Sequence, residues 1–323
     1  MKFIESLKEG MHISEVYLCK TKTIAVSKTG KEYASLSLQD KTGSIDAKIW
    51  DLYSPGISDV DAMTFVVVDA EVTSFNNTLQ LKVARIREAD AKEYTASDYV
   101  PVSKKDIEKM FVELKEKIKS VKNPFLNKLL TAIFIEDLEF QSTFKASSAA
   151  KTVHHGFLGG LLEHTLGVAK LCEYFCDNYE SLNHDLLITS ALCHDIGKTR
   201  ELSAFPANDY TDEGQLVGHI VIGVEILKAQ IDKIPGFPKK LSNELIHCIL
   251  AHHGELEYGS PKKPALIEAL ALNLADNADA KMETFIELLA QGQEGATGWL
   301  GYNSYLRAII ERQVYNIKSI HID

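Results

Sequence analysis

Imidazole and carboxylate side chains recur along the second half of the chain in an order suited to holding divalent cations. They are His164, the pair His194-Asp195, His219, the pair His252-His253, and Asp276. Nine of the eleven histidines fall between His154 and His253, under a third of the 323 residues. Histidine is the commonest metal ligand. A mixed imidazole and carboxylate set suits Mn²⁺, Fe²⁺, Co²⁺ and Zn²⁺ better than Ca²⁺. Each residue also has a plainer reading: His164 as a packed residue of an amphipathic helix, His252-His253 as a polar helix end, Asp276 as a partner of Lys281. Those readings must all hold by coincidence, so a metal site is the expectation. His184 and His247 belong to no such set and are read as structural.

Helices must bring these groups together. From about residue 106 the apolar residues recur at i, i+3, i+4 in DIEKMFVELKEKIKS, PFLNKLLTAIFI, LLEHTLGVAKLCEYFCDNY, LLITSALCHDIGK, LVGHIVIGVEILKAQI, LSNELIHCILAHH and PALIEALALNLADNADAKMETFIELLA, the period of amphipathic helices. Gly254 fits a helix C-cap and Pro264 a first-turn proline. Adjacent His194 and Asp195 would diverge by about 100° on a regular helix. They converge only if they end it, as Gly197 suggests. A bundle can then close the whole set around one pocket.

Residues 1–90 read as β. EYASLSLQD puts Leu36 and Leu38 on one face, and Tyr33, Ser35 and Ser37 on the other; GSIDAKIW points Ile45, Ala47 and Ile49 inward, and Asp46, Lys48 and Trp50 outward. FVVVDAEV and TLQLKVARI pair around Asn76-Asn77, and an opening strand spans His12 to Val26. Five strands in so short a stretch predict a small antiparallel barrel. Residues 91–150 are expected to be a linker and connecting helices, 151–290 the helical domain, and 291–323 a C-terminal arm. Composition (45% hydrophobic, 25% charged) excludes disorder, fibrous repeats and a disulfide scaffold. No window approaches the ~18 apolar residues of a membrane span, and MKFIESLKEGMH lacks the apolar core of a signal peptide. Five cysteines without a Cys-x-x-Cys pair fit a reducing cytoplasm. A net charge of −10 leaves no bulk attraction for nucleic acid.

The ordered series His164, His194-Asp195, His219, His252 and Asp276, with its string HDIGK at 194–198, resembles the HD-domain phosphohydrolase superfamily. The resemblance covers about 155–290 and implies an all-α, metal-dependent hydrolase. Carried over, His164, His194, Asp195 and Asp276 would hold one divalent ion, and Asp195 would bridge to a second held by His219 and His252. His253 is an additional neighbour whose role stays open between ligand, phosphate contact and cap. Such ions activate water and neutralise phosphate charge. Lys198, one turn after the ligand pair, is placed to touch the phosphate or assist the leaving oxygen, so Asp195 and Lys198 are the candidate catalytic residues.

DKTGSIDAKIWD looks like the second and third strands of nucleic-acid-binding OB folds, whose face and loops take single strands. Tyr33, Lys48 and Trp50 fall on that face, Lys28 and Lys31 in the first connecting loop, and Phe75 before the Asn-Asn turn. The barrel region carries 11 Lys and Arg against 13 Asp and Glu, so an interdomain contact is the competing reading of the aromatics. The order of OB fold, linker and HD domain, with HHGFLGGLLEHT (154–165) and WLGYNSYL (299–306), resembles the YhaM-type 3′-5′ exoribonucleases. That resemblance implies attack on single-stranded RNA, with DNA also accepted, and a site for two divalent ions, Mn²⁺ favoured. It sets His154, His155 and the Gly159-Gly160 pair near the mouth of the site, with helix-start capping as the alternative. Trp299, Tyr302 and Tyr305 could stack bases, but are expected instead to lock the arm onto the body. The fold expectation is thus a five-stranded OB-type barrel followed by an all-α HD-domain bundle. Two rival functions remain: an HD hydrolase of small nucleotides with a regulatory barrel, and a non-catalytic single-strand-binding adaptor.

Overall fold

Alternation of apolar and polar residues produces five strands: β1 (His12–Val26), β2 (Glu32–Asp40), β3 (Gly43–Ile49), β4 (Thr64–Phe75) and β5 (Thr78–Glu88). The computed structural model describes residues 2–27, 30–76, 78–151, 155–291, 298–303 and 308–312. The strands close a barrel in the order β1-β2-β3-β5-β4, antiparallel except where β3 meets β5. This is the five-stranded arrangement of the OB fold. Leu36, Leu38, Ile45, Ala47, Ile49, Leu81 and Val83 fill its interior as the alternation requires. A register shift between Cys19 and Thr21 bends β1 so that it pairs with both β2 and β4.

The aperiodic stretch after Ala89 is more ordered than a linker. Tyr99 is buried; it meets Phe65 edge-on, and Tyr94 stacks on Phe65 with centroids 3.9 Å apart. Gln39 donates to the Tyr99 carbonyl. The compact unit containing the barrel accordingly comprises Met1–Lys104 with Ser203–Asp209; the other comprises Lys105–Leu202 with Tyr210–Asp323. Aromatic anchoring of this kind leaves no periodic trace in sequence.

The second unit is helical through α1 (Ile107–Ser120), α2 (Pro124–Thr131), α3 (Leu138–Ala146), α4 (Gly160–Asn178), α5 (His184–Cys193), α6 (Lys198–Glu201), α7 (Asp212–Leu216), α8 (His219–Ile231), α9 (Lys239–Ala251) and α10 (Ile267–Gln291). Helix starts carry the expected side-chain caps: Asp106 at α1, Asn123 at α2 and Asn183 at α5 each accept from backbone N–H groups. Every residue of α5 from Leu186 to Cys193 is buried, so this largely apolar helix is covered all round and runs through the core.

Two helix boundaries differ from the periodic reading. LVGHIVIGVEILKAQI is not one helix: Gly218, at φ 79° and ψ 153°, separates α7 from α8. That conformation is open to glycine and strained for other residues, and apolar spacing does not register it. Pro264 is not a first-turn proline either, because α10 begins at Ile267 and the Ala265 N–H donates to His247 Nε2. Gly254, at φ 79°, follows α9 in the left-handed conformation of a helix end. Beyond α10, β6 (Gly298–Asn303) and β7 (Ala308–Arg312) pair antiparallel, where no strand was expected. The side chains of Trp299 and Tyr302, and the whole of Tyr305, lie outside the described residues.

Candidate metal centre

The apolar α5 ends at Cys193, and the next four residues turn. His194 and Asp195 therefore leave the core helix at its end and share one pocket despite being adjacent. His164 comes from the first turns of α4, His219 is the first residue of α8, His252 immediately follows α9, and Asp276 lies on α10. Gly197 makes the approach of α8 possible. A Cβ there would sit 2.0 Å from the His219 carbonyl oxygen and 2.7 Å from the Gly223 nitrogen.

All six residues are buried or nearly so. His164 Nε2 lies 3.1 Å from Asp276 Oδ1, 3.2 Å from His194 Nε2 and 3.5 Å from Asp195 Oδ2. On the other side of Asp195, Oδ1 lies 3.5 Å from His219 Nε2 and 3.7 Å from His252 Nε2. His164, His194 and Asp276 offer donor atoms within 4.8 Å of one another, and so do His219, His252 and His253. Asp195 thus presents one oxygen to each set. Lys198 Nζ donates to Asp195 Oδ2 at 2.7 Å.

The remaining ring nitrogens fix the tautomers. Nδ1 of His194 faces the Ala191 carbonyl at 2.8 Å and Nδ1 of His252 the Ile249 carbonyl at 2.7 Å. Nδ1 of His219 faces Glu201 Oε1 at 2.9 Å, and Nδ1 of His164 faces Asp279 Oδ2 at 2.7 Å. These partners only accept, so each Nδ1 carries a hydrogen, and a neutral ring turns a bare Nε2 lone pair inward. Asp195 Oδ1, His219 Nε2 and His252 Nε2 are buried and have no hydrogen-bond partner among the described residues. Lone pairs facing a buried carboxylate without a proton between them repel, and a cation among them removes the conflict. The residues present fit divalent metal ions.

Electrostatics follow the same division. Burial favours the neutral form of Asp195, but Lys198, His194 and His219 hold its carboxyl well below the usual range. Lys198 is the converse case: burial works against its charge, yet Asp195 raises it above the ordinary lysine value. Burial depresses His252 strongly, with His253 and His194 adding to the effect, so this imidazole is neutral. For His164 burial is outweighed by hydrogen bonds to Asp276 and Asp279, which lift it to about 9.

Over residues 161–281 the sequence matches the family described as HD domain. The second unit carries an HD domain. Its span holds every residue of the convergent set, from His164 to Asp276. Two solved structures share partial likeness with the chain. One is a domain of replication protein A from Methanococcus maripaludis, with 21% identity over 28% of this chain and 94% of that one, at a TM-score of 0.24. The other is the HD domain of the phosphodiesterase PgpH from L. monocytogenes, with 20% identity over 54% of this chain and 77% of that one, at a TM-score of 0.27.

Other residues singled out from sequence are distributed as follows. His253 stands beside the HD-domain centre, its ring 4.3 Å from that of His252 and 5.2 Å from that of His219. His155 is buried, with Nε2 3.1 Å from Asp279 Oδ2 and its ring centroid 5.4 Å from that of His164. Gly159, at φ 82°, starts α4, and a Cβ on Gly160 would meet the His155 carbonyl oxygen at 2.0 Å, which accounts for the glycine pair structurally. On the barrel, Tyr33 and Trp50 stack on each other with centroids 5.0 Å apart. Lys48 Nζ donates to Ser35 Oγ on the same outer face. Trp50 and Phe75 are exposed, and Lys31 lies 3.9 Å from Asp51. Lys28 and His154 lie outside the described residues. Sequence reasoning missed Asp279 and Glu201. Each sits one turn from a singled-out residue, Asp279 after Asp276 and Glu201 after Lys198, and that i, i+3 spacing was the available signal.

Proposed function

We propose that this protein is a metal-dependent 3′-5′ exoribonuclease that hydrolyses phosphodiester bonds at the 3′ end of single-stranded RNA, and of single-stranded DNA as well. The reading is carried by the occurrence in one chain of an HD-domain centre with orphaned donor atoms and an OB-type barrel with a Tyr33–Trp50 stack beside Lys48. His164, His194, Asp195 and Asp276 would hold one ion; Asp195, His219 and His252, with His253 beside them, would hold the second. Mn²⁺ is the ion favoured by the family resemblance. Bound there, divalent ions supply an activated water and neutralise charge on the phosphate.

The chain's own residues supply the rest. Lys198, held by Asp195 at 2.7 Å, keeps a positive charge beside the carboxylate that both sets share, where it can meet a phosphate or leaving oxygen. The Nδ1 hydrogen bonds of the four histidines hold their rings in one orientation, so little reorganisation is needed when substrate arrives. On the barrel, the outer face of Trp50 would offer a sequence-tolerant platform for a base, and Lys48, on the same face, would meet a backbone phosphate. A platform of this kind needs unpaired bases, because a duplex encloses their faces.

The test is digestion of a 5′-labelled single-stranded RNA with and without Mn²⁺. A ladder shortening from the 3′ end only with metal is the expected result. Inertness toward the oligonucleotide with release of phosphate from mononucleotides would overturn the reading in favour of a small-nucleotide hydrolase. Binding without any hydrolysis would favour an adaptor.

A further inference from the structure

Asp279 lies outside the two donor sets that Asp195 faces, and with His155 and His164 it forms a separate close group. Its Oδ2 receives two hydrogen bonds, from His164 Nδ1 at 2.7 Å and from His155 Nε2 at 3.1 Å. Its Oδ1 rests against Gly167: a Cβ on that glycine would lie 2.0 Å from Oδ1 and 2.8 Å from Cγ. Gly167 is interior to α4, where glycine is a poor helix former and no turn requires it. Clearance for the carboxylate accounts for it. On the other side His155 is held at φ 60°, a left-handed conformation that costs a non-glycine residue free energy. Its carbonyl accepts from the Ala149 N–H at 3.1 Å, and Gly160 packs against it with no room for a side chain. Two glycines and one strained histidine thus enclose a single carboxylate.

We propose that Asp279 is a positioning residue for His164, with His155 and Gly167 as the bracket that holds it, so that His164 keeps its Nδ1 hydrogen and presents Nε2 to the metal. The inference rests on His164 being a metal ligand. A carboxylate behind a ligating imidazole fixes ring orientation and raises its basicity, and loss of such partners costs 10–100-fold in metal affinity or activity. His194 and His252 have only backbone carbonyls at the corresponding nitrogen. Among the histidines of its own donor set, His164 alone is braced by a carboxylate.

The test is calorimetric titration of Mn²⁺ into the metal-free full-length protein at fixed pH, with circular dichroism to report folding. Asp279→Asn keeps the shape and removes the charge, and is expected to weaken Mn²⁺ binding 10–100-fold. Gly167→Ala, which leaves every ionisable group in place, is expected to weaken it as well, by displacing the carboxylate. If Asp279→Asn does not fold, His155→Ala tests the bracket from its other end: about tenfold weaker binding, restored by His155→Gln, whose amide can again donate to Oδ2. Unchanged affinity in folded Asp279→Asn, or in His155→Ala where that substitutes for it, overturns the proposal. His164→Ala separates the two inferences. If it binds Mn²⁺ like the unaltered protein, the metal reading of His164 has failed; if it loses Mn²⁺ while Asp279→Asn does not, only the positioning role has.

Discussion

Replacing Gly197 by alanine tests whether the centre depends on the close approach of α8. The glycine has φ −64°, a value any residue adopts, so the substitution carries no conformational penalty. Clearance is the whole effect. The new Cβ would lie 2.0 Å from the His219 carbonyl oxygen and 2.7 Å from the Gly223 nitrogen, whereas ordinary contact begins at 3.4 Å. Both neighbours are backbone, so no rotamer change relieves the clash, and the start of α8 must retreat by about 1.4 Å. Overpacking of this kind costs roughly 1–3 kcal/mol. Reduced freedom of the unfolded chain offsets about 0.4–1 kcal/mol of that, which leaves a net loss near 1–2 kcal/mol. A fall in melting temperature of roughly 2–8 °C is expected. Because His219 opens α8, its Nε2 moves with the helix away from Asp195, and a displacement of about 1 Å in such a site costs ~100-fold in rate. The assay pairs thermal unfolding with Mn²⁺-dependent trimming of a labelled single-stranded RNA. A variant that melts earlier yet trims at the full rate would refute the placement of His219 in the machinery. One that melts and trims normally would refute the packing argument itself.

Asp195→Ala removes the carboxylate that faces both donor sets, so hydrolysis should be abolished while fluorescence anisotropy reports oligonucleotide binding near the unaltered level. Trp50→Ala should weaken oligonucleotide binding by ~1–3 kcal/mol, the range for one base stack, and leave hydrolysis of a dinucleotide nearly unchanged; equal impairment of short and long substrates would mean that Trp50 serves the barrel. An RNA hairpin with a single-stranded 3′ tail should be shortened to within a few nucleotides of the stem and no further, compared with an unstructured RNA of equal length. Through-digestion of both would count against any requirement for unpaired bases.

Residues that act by facing a core or by sharing one chemical type were legible before any fold was drawn. Leu36 and Leu38, or Ile45, Ala47 and Ile49, announce a barrel wall because burial selects every second residue. His164, His194, Asp195, His219, His252 and Asp276 stand out because imidazoles and carboxylates at helix ends and on inner faces have few other uses. The groups that hydrogen-bond to these side chains carry no such signature. Glu201 binds both the backbone N–H and Nδ1 of His219 at 2.9 Å, yet as sequence it is one more acid in a short charged helix. Tyr94 and Tyr99 sit in an aperiodic stretch and still anchor it to Phe65, since a few aromatic contacts need no repeat.

The glycines are the sharpest case. Gly218 is required by its own backbone conformation, which sequence can at least suggest. Gly197 and Gly167 have ordinary helical surroundings and are required by atoms far along the chain: the His219 carbonyl for one, the Asp279 carboxylate for the other. A requirement imposed by the absence of a side chain, on behalf of a residue more than twenty or a hundred positions away, exists only once the fold has brought the two together. The HD-domain centre therefore has two layers of information. Its candidate ligands are written as residue types in order, whereas the clearances that aim those side chains are written as missing atoms, and only the folded chain shows what they leave room for.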